Sequence, residues 1–398
     1  MSRLLTLDDL QPSDLAGRRV FVRVDFNVKV IDGRVLDATR LEKALPTLTE
    51  LRQHGARLIL ASHNGRPKGA PDPAYSMELV AAALAEMLGT EVAFAADCIG
   101  PPARAVVDEL ADGEVALLEN LRFHSGEEAN DADFATALAD LAEVFVNDAF
   151  GTAHRAHASV VGVAGRLERK AAGRLLAREI EVLGSMLEAP RRPFAAVIGG
   201  AKIAGKSETL SNLLPQLDLL VLGGGMANTF LAAQGYDMAN SLVETERIDL
   251  AKDILAAAEA RNVEVLLPNE LVVADDFDQP QRIETVAVDS VPAGMMALDV
   301  GPAFCDRVAG AVAHAGTIFW NGPLGVFERE EFAAGTVAVA GALTDSAAYT
   351  VVGGGETVAA AKLAGVADDL GFISTGGGAA LELLAGKTLP GVAALEVE

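Results

Sequence analysis

Basic residues of this chain gather in short polar runs in its first half, and its glycines cluster in the second. The runs are Asp25-Phe26-Asn27 with Arg40, Ser62 to Pro67 around His63 and Arg66, Asn120 to Phe123 around Arg122, and His154-Arg155-Ala156-His157. Each sets a cation beside a turn, and guanidinium with imidazole suits phosphate and carboxylate. The glycine clusters are Gly199-Gly200-Ala201-Lys202, Gly223-Gly224-Gly225, Gly353-Gly354-Gly355-Glu356 and Ser374-Thr375-Gly376-Gly377-Gly378. Each follows an apolar run and precedes a helical pattern, where free backbone N–H groups receive anions. Two anion-binding surfaces on one chain imply phosphoryl transfer between two separately held ligands.

Positioning these groups falls to short β-branched runs alternating with amphipathic segments. In the first half the runs Val20–Val24, Leu58–Ala61, Val115–Leu118 and Val144–Val146 read as buried parallel strands, with helical patterns at Leu41–His54, Met77–Leu88 and Phe134–Leu141. Strands Ala195–Ile198, Leu219–Leu222, Val265–Leu267, Thr317–Trp320, Thr350–Val352 and Phe372–Ser374 repeat the pattern, with helices Glu246–Arg261 and Thr357–Ala364. Lys170 to Glu188 reads as one long helix ended by Ala189-Pro190. The expected fold is α/β: two domains, each a helix-covered, Rossmann-like parallel sheet, joined by that helix. In such sheets ligands sit beyond the carboxyl ends of the strands. The first-half polar runs all fall there, and together they suit a small phosphorylated hydroxy acid.

At 398 residues, the chain exceeds what one hydrophobic core usually supports. The net charge of −24 argues against nucleic acid or an anionic membrane as partner, so the clustered arginines have a local purpose. Cys98 and Cys305 are too isolated to suggest a metal site or a disulfide framework, which fits a reducing cytoplasm. No apolar stretch reaches the length of a membrane span, and Met1 to Asp9 lacks the pattern of a signal peptide.

Gly200 to Ser207 satisfies G-x-x-x-x-G-K-S, the pattern of a phosphate-binding P-loop. Read so, Lys206 reaches the terminal phosphates and Ser207 ligates magnesium. A second strand ending in a magnesium-binding aspartate should follow, yet Leu219–Leu222 ends in glycines, and Asp299 is a weak candidate.

Beyond these signals, Arg23-Val24-Asp25-Phe26-Asn27-Val28, His63-Asn64-Gly65-Arg66-Pro67, Glu119 to Phe123, Asn147-Asp148-Ala149-Phe150-Gly151, His154 to His157, Gly199 to Lys202, Trp320 to Glu328 and Ser374 to Gly378 occur in order nearly end to end. Together they resemble phosphoglycerate kinase. The resemblance implies reversible transfer of a phosphoryl group between 1,3-bisphosphoglycerate with ADP and 3-phosphoglycerate with ATP, with magnesium accompanying the nucleotide. It further implies hinge closure, a monomer and a cytoplasmic setting. Residues 1-170 would bind phosphoglycerate, with a C-terminal return of 385-398. Residues 171-189 would form the interdomain helix, and 190-384 would bind nucleotide. Carried over by motif, Asp25 and Asn27 would hold the hydroxyl and carboxylate end of the substrate. His63, Arg66, Arg122 and Arg155 would take its phosphate, and Arg40 would sit at the transfer site. Lys202 and Lys206 would contact nucleotide phosphates, and Gly223, Asn321, Pro323, Gly354, Gly355 and Thr357 would border the nucleotide. Glu328 would bind its ribose, Glu356 its magnesium, and Gly377 would open a helix toward the migrating group.

Some positions depart from the family pattern. Lys29 stands where proline usually follows Asp-Phe-Asn-Val, Asn64 replaces a leucine, and Ala204-Gly205 replaces Ser-Asp. Glu356 stands where the Gly-Gly-Gly-Asp motif has aspartate, keeping the charge on a longer arm. His157 either orients Arg155 or satisfies its loop. Two rivals stand beside this reading: a different P-loop kinase using Ser207 for magnesium, and a non-catalytic binding protein.

Overall fold

Parallel strands bury both faces, so their sequences are nearly continuous apolar runs and their cover is helical. The structure, a computed structural model, describes residues 3–31 and 33–397; Met1, Ser2, Asp32 and Glu398 lie outside it, and with them both ends of the expected first domain. The chain folds as two compact units, Met1–Glu181 with Thr388–Glu398, and Val182–Lys387.

The first unit contains β1 (Arg3–Leu4), β2 (Arg19–Arg23), the antiparallel pair β3 (Val30–Ile31) and β4 (Arg34–Val35), β5 (Arg57–Ala61), β6 (Val92–Ala95), β7 (Val115–Leu118), β8 (Val144–Asn147) and β9 (Arg169–Ala172). Six of them make one sheet in the order β6-β7-β5-β2-β8-β9, every neighbouring pair parallel. On one face Val20, Val22, Leu58 and Leu60 pack with Leu41, Leu48 and Leu51 of the helix Thr39–Gln53 and with Val80 and Leu84 of the helix Glu78–Leu88. Each such side chain contributes about 1.5–3 kcal/mol by leaving water. From β2 the chain moves to β5 on one side and later to β8 on the other, so the loops after these strands splay apart at one sheet edge.

The second unit contains β10 (Phe194–Ile198), β11 (Leu219–Leu222), β12 (Glu264–Leu266), β13 (Glu270–Ala274), β14 (Ile283–Ala287), β15 (Met296–Val300), β16 (Thr317–Asn321), β17 (Tyr349–Val352) and β18 (Phe372–Ile373). Its parallel sheet runs β12-β11-β10-β16-β17-β18, the doubly wound order whose reversal lies between β10 and β16. A separate antiparallel sheet, β14-β13-β15, is inserted between β12 and β16. The sequence reading contains neither this sheet as such nor the edge strands β6 and β9. The chain end returns to the first unit, where β19 (Glu396–Val397) pairs antiparallel with β1.

The expected long helix is shorter than Lys170 to Glu188. Its first residues belong to β9, which pairs with β8, and the helix spans Arg174–Glu188. Gly173 separates the two, donating its N–H to Asn147 while the helix begins against the Asp148 carboxylate, which accepts from Leu175 N at 2.9 Å. Arg169-Lys170-Ala171-Ala172 carries no apolar strand pattern to reveal that β8 will complete its hydrogen bonds, and here the strand outcompetes the helix.

Candidate active site

The loops after β2, β5, β7 and β8 converge on a cavity of about 200 Å³ in the first unit. Asp25, Asn27, Arg40, His63, Arg66, Arg122 and Arg155 all line it, joined by Gly65, Gly151 and Thr152. Arg40 forms an ion pair with Asp25, and Asn27 Oδ1 accepts the Gly65 N–H at 3.0 Å. Arg122 donates to the Gly65 carbonyl at 2.9 Å, while its buried Nε has no aligned acceptor among the described residues although Glu128 lies 3.1 Å away. Asn120 ties the β5 and β7 loops, donating to the carbonyls of Asn64 at 2.7 Å and Tyr75 at 2.9 Å.

Beneath the cavity lies a buried layer centred on Arg23, at the end of β2. Arg23 is fully buried, donates to Ser159 Oγ at 2.8 Å and meets His63 Nδ1 at 3.2 Å. Buried Glu127 balances it electrostatically and accepts from Ser159 N and Oγ at 3.0 and 2.6 Å. Burial, with Arg23 next in effect, holds the His63 pKa well below the usual imidazole range. The same causes push His157 down to about 4, and its Nδ1 lies 3.7 Å from Glu127. Both imidazoles are therefore neutral at neutral pH, and the positive charge rests on guanidinium groups.

In the second unit a cavity of about 500 Å³ opens where the strand order reverses. The β10 loop contributes Gly200 and Ala201, the start of the helix Gly224–Ala233 contributes Gly224, Gly225 and Asn228, and the β16 loop contributes Pro323 to Val326. Leu271, Met296 and Leu298 of the inserted antiparallel sheet complete an apolar wall, and Glu328 and Glu356 are exposed lining residues. The glycines serve backbone contact as much as openness. A Cβ on Gly199 would stand 2.1 Å from the Pro323 carbonyl oxygen, and one on Gly224 2.7 Å from Gly200 N. Gly200 N donates to the Pro323 carbonyl at 2.7 Å and Gly224 N to that of Leu324 at 2.8 Å, clamping three strand-end loops together.

Of the remaining expected residues, Asn321 donates to the Gly353 carbonyl at 2.6 Å, and Thr357 Oγ1 accepts from Gly322 N at 2.7 Å, which joins the β16 and β17 loops. Gly354 and Gly355 open the helix Gly355–Leu363, Gly223 caps the helix Gly224–Ala233, and Gly377 precedes the helix Gly378–Leu384. Lys202 is exposed. Lys206 Nζ turns onto the carbonyls of Gly199 and Asn321, the latter at 3.0 Å, and burial pushes its pKa down to about 8 against the opposing pull of Glu356.

The literal P-loop reading meets an obstacle at Asp299. It lies on β15 of the antiparallel sheet, and both carboxylate oxygens accept backbone N–H groups, from Val300 at 2.9 Å and Gly335 at 2.7 Å. A P-loop's partner aspartate ends a parallel strand of the main sheet; Asp299 instead braces the cavity wall. One grouping of possible metal ligands exists among the described residues, Asp97, Cys98 and His124. Its Asp97 carboxylate accepts from Cys98 N at 2.6 Å and contacts His124 at 2.7 Å.

The sequence profile described as phosphoglycerate kinase matches residues 7–387. The chain belongs to the phosphoglycerate kinase family. It is 53% identical over 382 residues to the phosphoglycerate kinase of Pelotomaculum thermopropionicum, covering 96% of this chain and 97% of that one. The corresponding protein of Moorella thermoacetica is 54% identical, with 98% of both chains covered. Phosphoglycerate kinase from Coxiella burnetii superposes with a TM-score of 0.90 at 40% identity, covering 99% of each chain.

Sequence reasoning about this phosphoglycerate kinase family member missed the buried layer of Arg23, Glu127 and Ser159, and in the second unit Asn228, Leu242 and the β13–β15 wall. Arg23 stood within a recognised motif, but a charged residue closing a buried strand is the signal that it is internal. Asn228 carried no such signal, because a polar residue in an apolar helix declares itself only when its neighbours are known.

Proposed function

We infer that this chain catalyses the phosphoglycerate kinase reaction, glycolytic and gluconeogenic in direction. The observation that carries it is the pairing of an arginine-lined cavity at the strand ends of one unit with a glycine-clamped cavity at the strand-order reversal of the other, in a chain of this family. In the first unit Arg66, Arg122 and Arg155 offer guanidinium donors for the phosphate of 3-phosphoglycerate, and neutral His63 offers a hydrogen bond without charge. Asp25 and Asn27 bind the hydroxyl and carboxylate end, and Arg40 stands at the reacting carboxylate. ATP or ADP occupies the second cavity, with its base against the apolar wall, its ribose at Glu328 and its phosphates toward Lys202 and Lys206. Gly223, Asn321, Pro323, Gly354, Gly355 and Thr357 shape that border.

In the transfer a carboxylate oxygen of 3-phosphoglycerate bonds to the γ-phosphorus of ATP while the bond to the β,γ-bridging oxygen breaks, leaving ADP and an acyl phosphate. No proton moves, so the protein needs neither general base nor phosphoenzyme. Its task is in-line positioning and stabilisation of charge on the three equatorial oxygens. Arg40, Lys206 and the amides after Gly377 supply cationic and dipolar contacts for that charge. Closure of the two units brings the ligands together and excludes the water that would hydrolyse the product.

Mg2+ fits the second site. Glu356 is exposed on the cavity, close enough to act on Lys206, and has no hydrogen bond or ion pair among the described residues. A single carboxylate beside nucleotide phosphates is the usual protein share of such a site. The ion would neutralise phosphate charge. We further read the protein as a cytoplasmic monomer acting on these small molecules; no helix among the described residues is long and apolar enough to cross a membrane.

The test is acyl-phosphate formation followed through a coupled reductive step. Turnover should require ATP, 3-phosphoglycerate and magnesium together. Binding of both ligands without turnover would leave a binding protein and refute the assignment.

A further inference from the structure

Asn228 lies one turn into the helix Gly224–Ala233, on the wall of the second unit's cavity. It is 2% exposed, and its Nδ2 makes no hydrogen bond within the described residues. A buried amide donor without a partner destabilises a fold, whereas an apolar side chain of the same shape does not. Its surroundings would suit the apolar choice, because Leu242, Leu271, Met296 and Leu298 line the same cavity. The other buried polar side chain there is already engaged: Asp299 accepts from two backbone amides. Asn240 donates to the Gly294 carbonyl at 3.2 Å. Glu328 and Glu356 are exposed and acidic, suited to ribose and metal rather than to the interior. Asn228 is thus the polar group left for whatever enters the apolar part of the cavity.

We propose that Asn228 is a specificity-determining residue that reads the base, donating its amide N–H to a ring nitrogen of a purine. The proposal rests on the nucleotide assignment of this cavity and adds to it the side chain and the atom that read the base. An apolar wall accepts any flat base, so area alone discriminates weakly. One buried donor does better, because a base without a facing acceptor leaves that donor unpaired.

The test compares the wild type with Asn228→Leu and Asn228→Ala, using MgATP and its 1-deaza, 3-deaza and 7-deaza analogues. One neutral hydrogen bond corresponds to a rise of about 3- to 10-fold in KM for ATP, with kcat and the KM for 3-phosphoglycerate nearly unchanged. One deaza analogue should show the same loss in the wild type and no further loss in Asn228→Leu, which identifies the ring nitrogen. Nucleotide-free Asn228→Leu should melt at a higher temperature than the wild type, a change opposite in sign to its loss of affinity. Should Leu destabilise by overpacking, the Ala variant reads the same KM pattern. The proposal is overturned if both variants bind ATP as tightly as the wild type, or if ATP and all three analogues weaken by one common factor. Failure of the wild type to bind MgATP at all would overturn the nucleotide assignment itself, and the proposal with it.

Discussion

Lys206 links nucleotide binding to pH in a way the geometry makes quantitative. Its Nζ is enclosed by the carbonyls of Gly199 and Asn321, and burial sets its pKa at about 8 in the nucleotide-free protein. With that value roughly a tenth of the lysine is neutral at about pH 7 and roughly nine-tenths at about pH 9. A nucleotide phosphate recruits the charged form and raises the pKa, so affinity is fully present below about 8 and is lost as pH rises through it. Between about pH 7 and pH 9 the dissociation constant for ATP should rise roughly tenfold, or about 1.4 kcal/mol. Phosphate ionisation does not confuse the measurement, because the second phosphate pKa lies near 6. Titration calorimetry at three pH values, in two buffers of different ionisation enthalpy, gives both the affinity and the proton taken up. Uptake should approach one proton near about pH 9. In Lys206→Arg the guanidinium stays charged throughout, so both the slope and the uptake should vanish. A flat wild-type profile, or a slope that survives in Lys206→Arg, would refute the reasoning.

Arg40→Ala removes a cation at the transfer site and should lower kcat by roughly 10³-fold or more in the coupled assay, while near-normal turnover would remove Arg40 from that role. Glu356→Asp shortens the arm of the proposed magnesium carboxylate; nucleotide affinity measured with and without magnesium should change its metal dependence, and equal metal-independent binding in both proteins would discredit the site. Burial pushes the Asp148 carboxyl up to about 7 from 3.8, so its destabilising effect is absent below the lower value, grows between the two and is complete above the higher. Going from about pH 8 to pH 5, the wild type should gain up to about 2–3 kcal/mol in urea-unfolding free energy relative to Asp148→Asn; parallel profiles would contradict this. Gly199→Ala forces a methyl against the Pro323 carbonyl oxygen and should cost about 1–3 kcal/mol or more, read as a lower urea midpoint.

What the sequence determined by itself was set by local rules. The short apolar runs at β2, β5, β7 and β8, spaced by helical patterns, fit buried parallel strands under helices, and the residues immediately after parallel strands emerge on one sheet edge. That is why the sequence alone places Asp25, His63, Arg122 and Arg155, far apart in the chain, on one surface. The motif order likewise identified the family. Tertiary structure alone decided whether a segment without a strand signal of its own became strand or helix, as at Arg169–Ala172, where β8 supplied the hydrogen bonds that a helix would otherwise have made. It also decided the β13–β15 wall, whose short strands have meaning only as partners of one another, with Glu270–Ala274 pairing on both sides. The protonation states of His63, His157, Asp148 and Lys206 belong to the same category, because desolvation depends on everything packed around a group and not on its neighbours in the chain. Asn228 shows the limit most plainly: its residue type is visible in the sequence, but that its Nδ2 has no hydrogen-bond partner among the described residues is a property of the folded cavity alone.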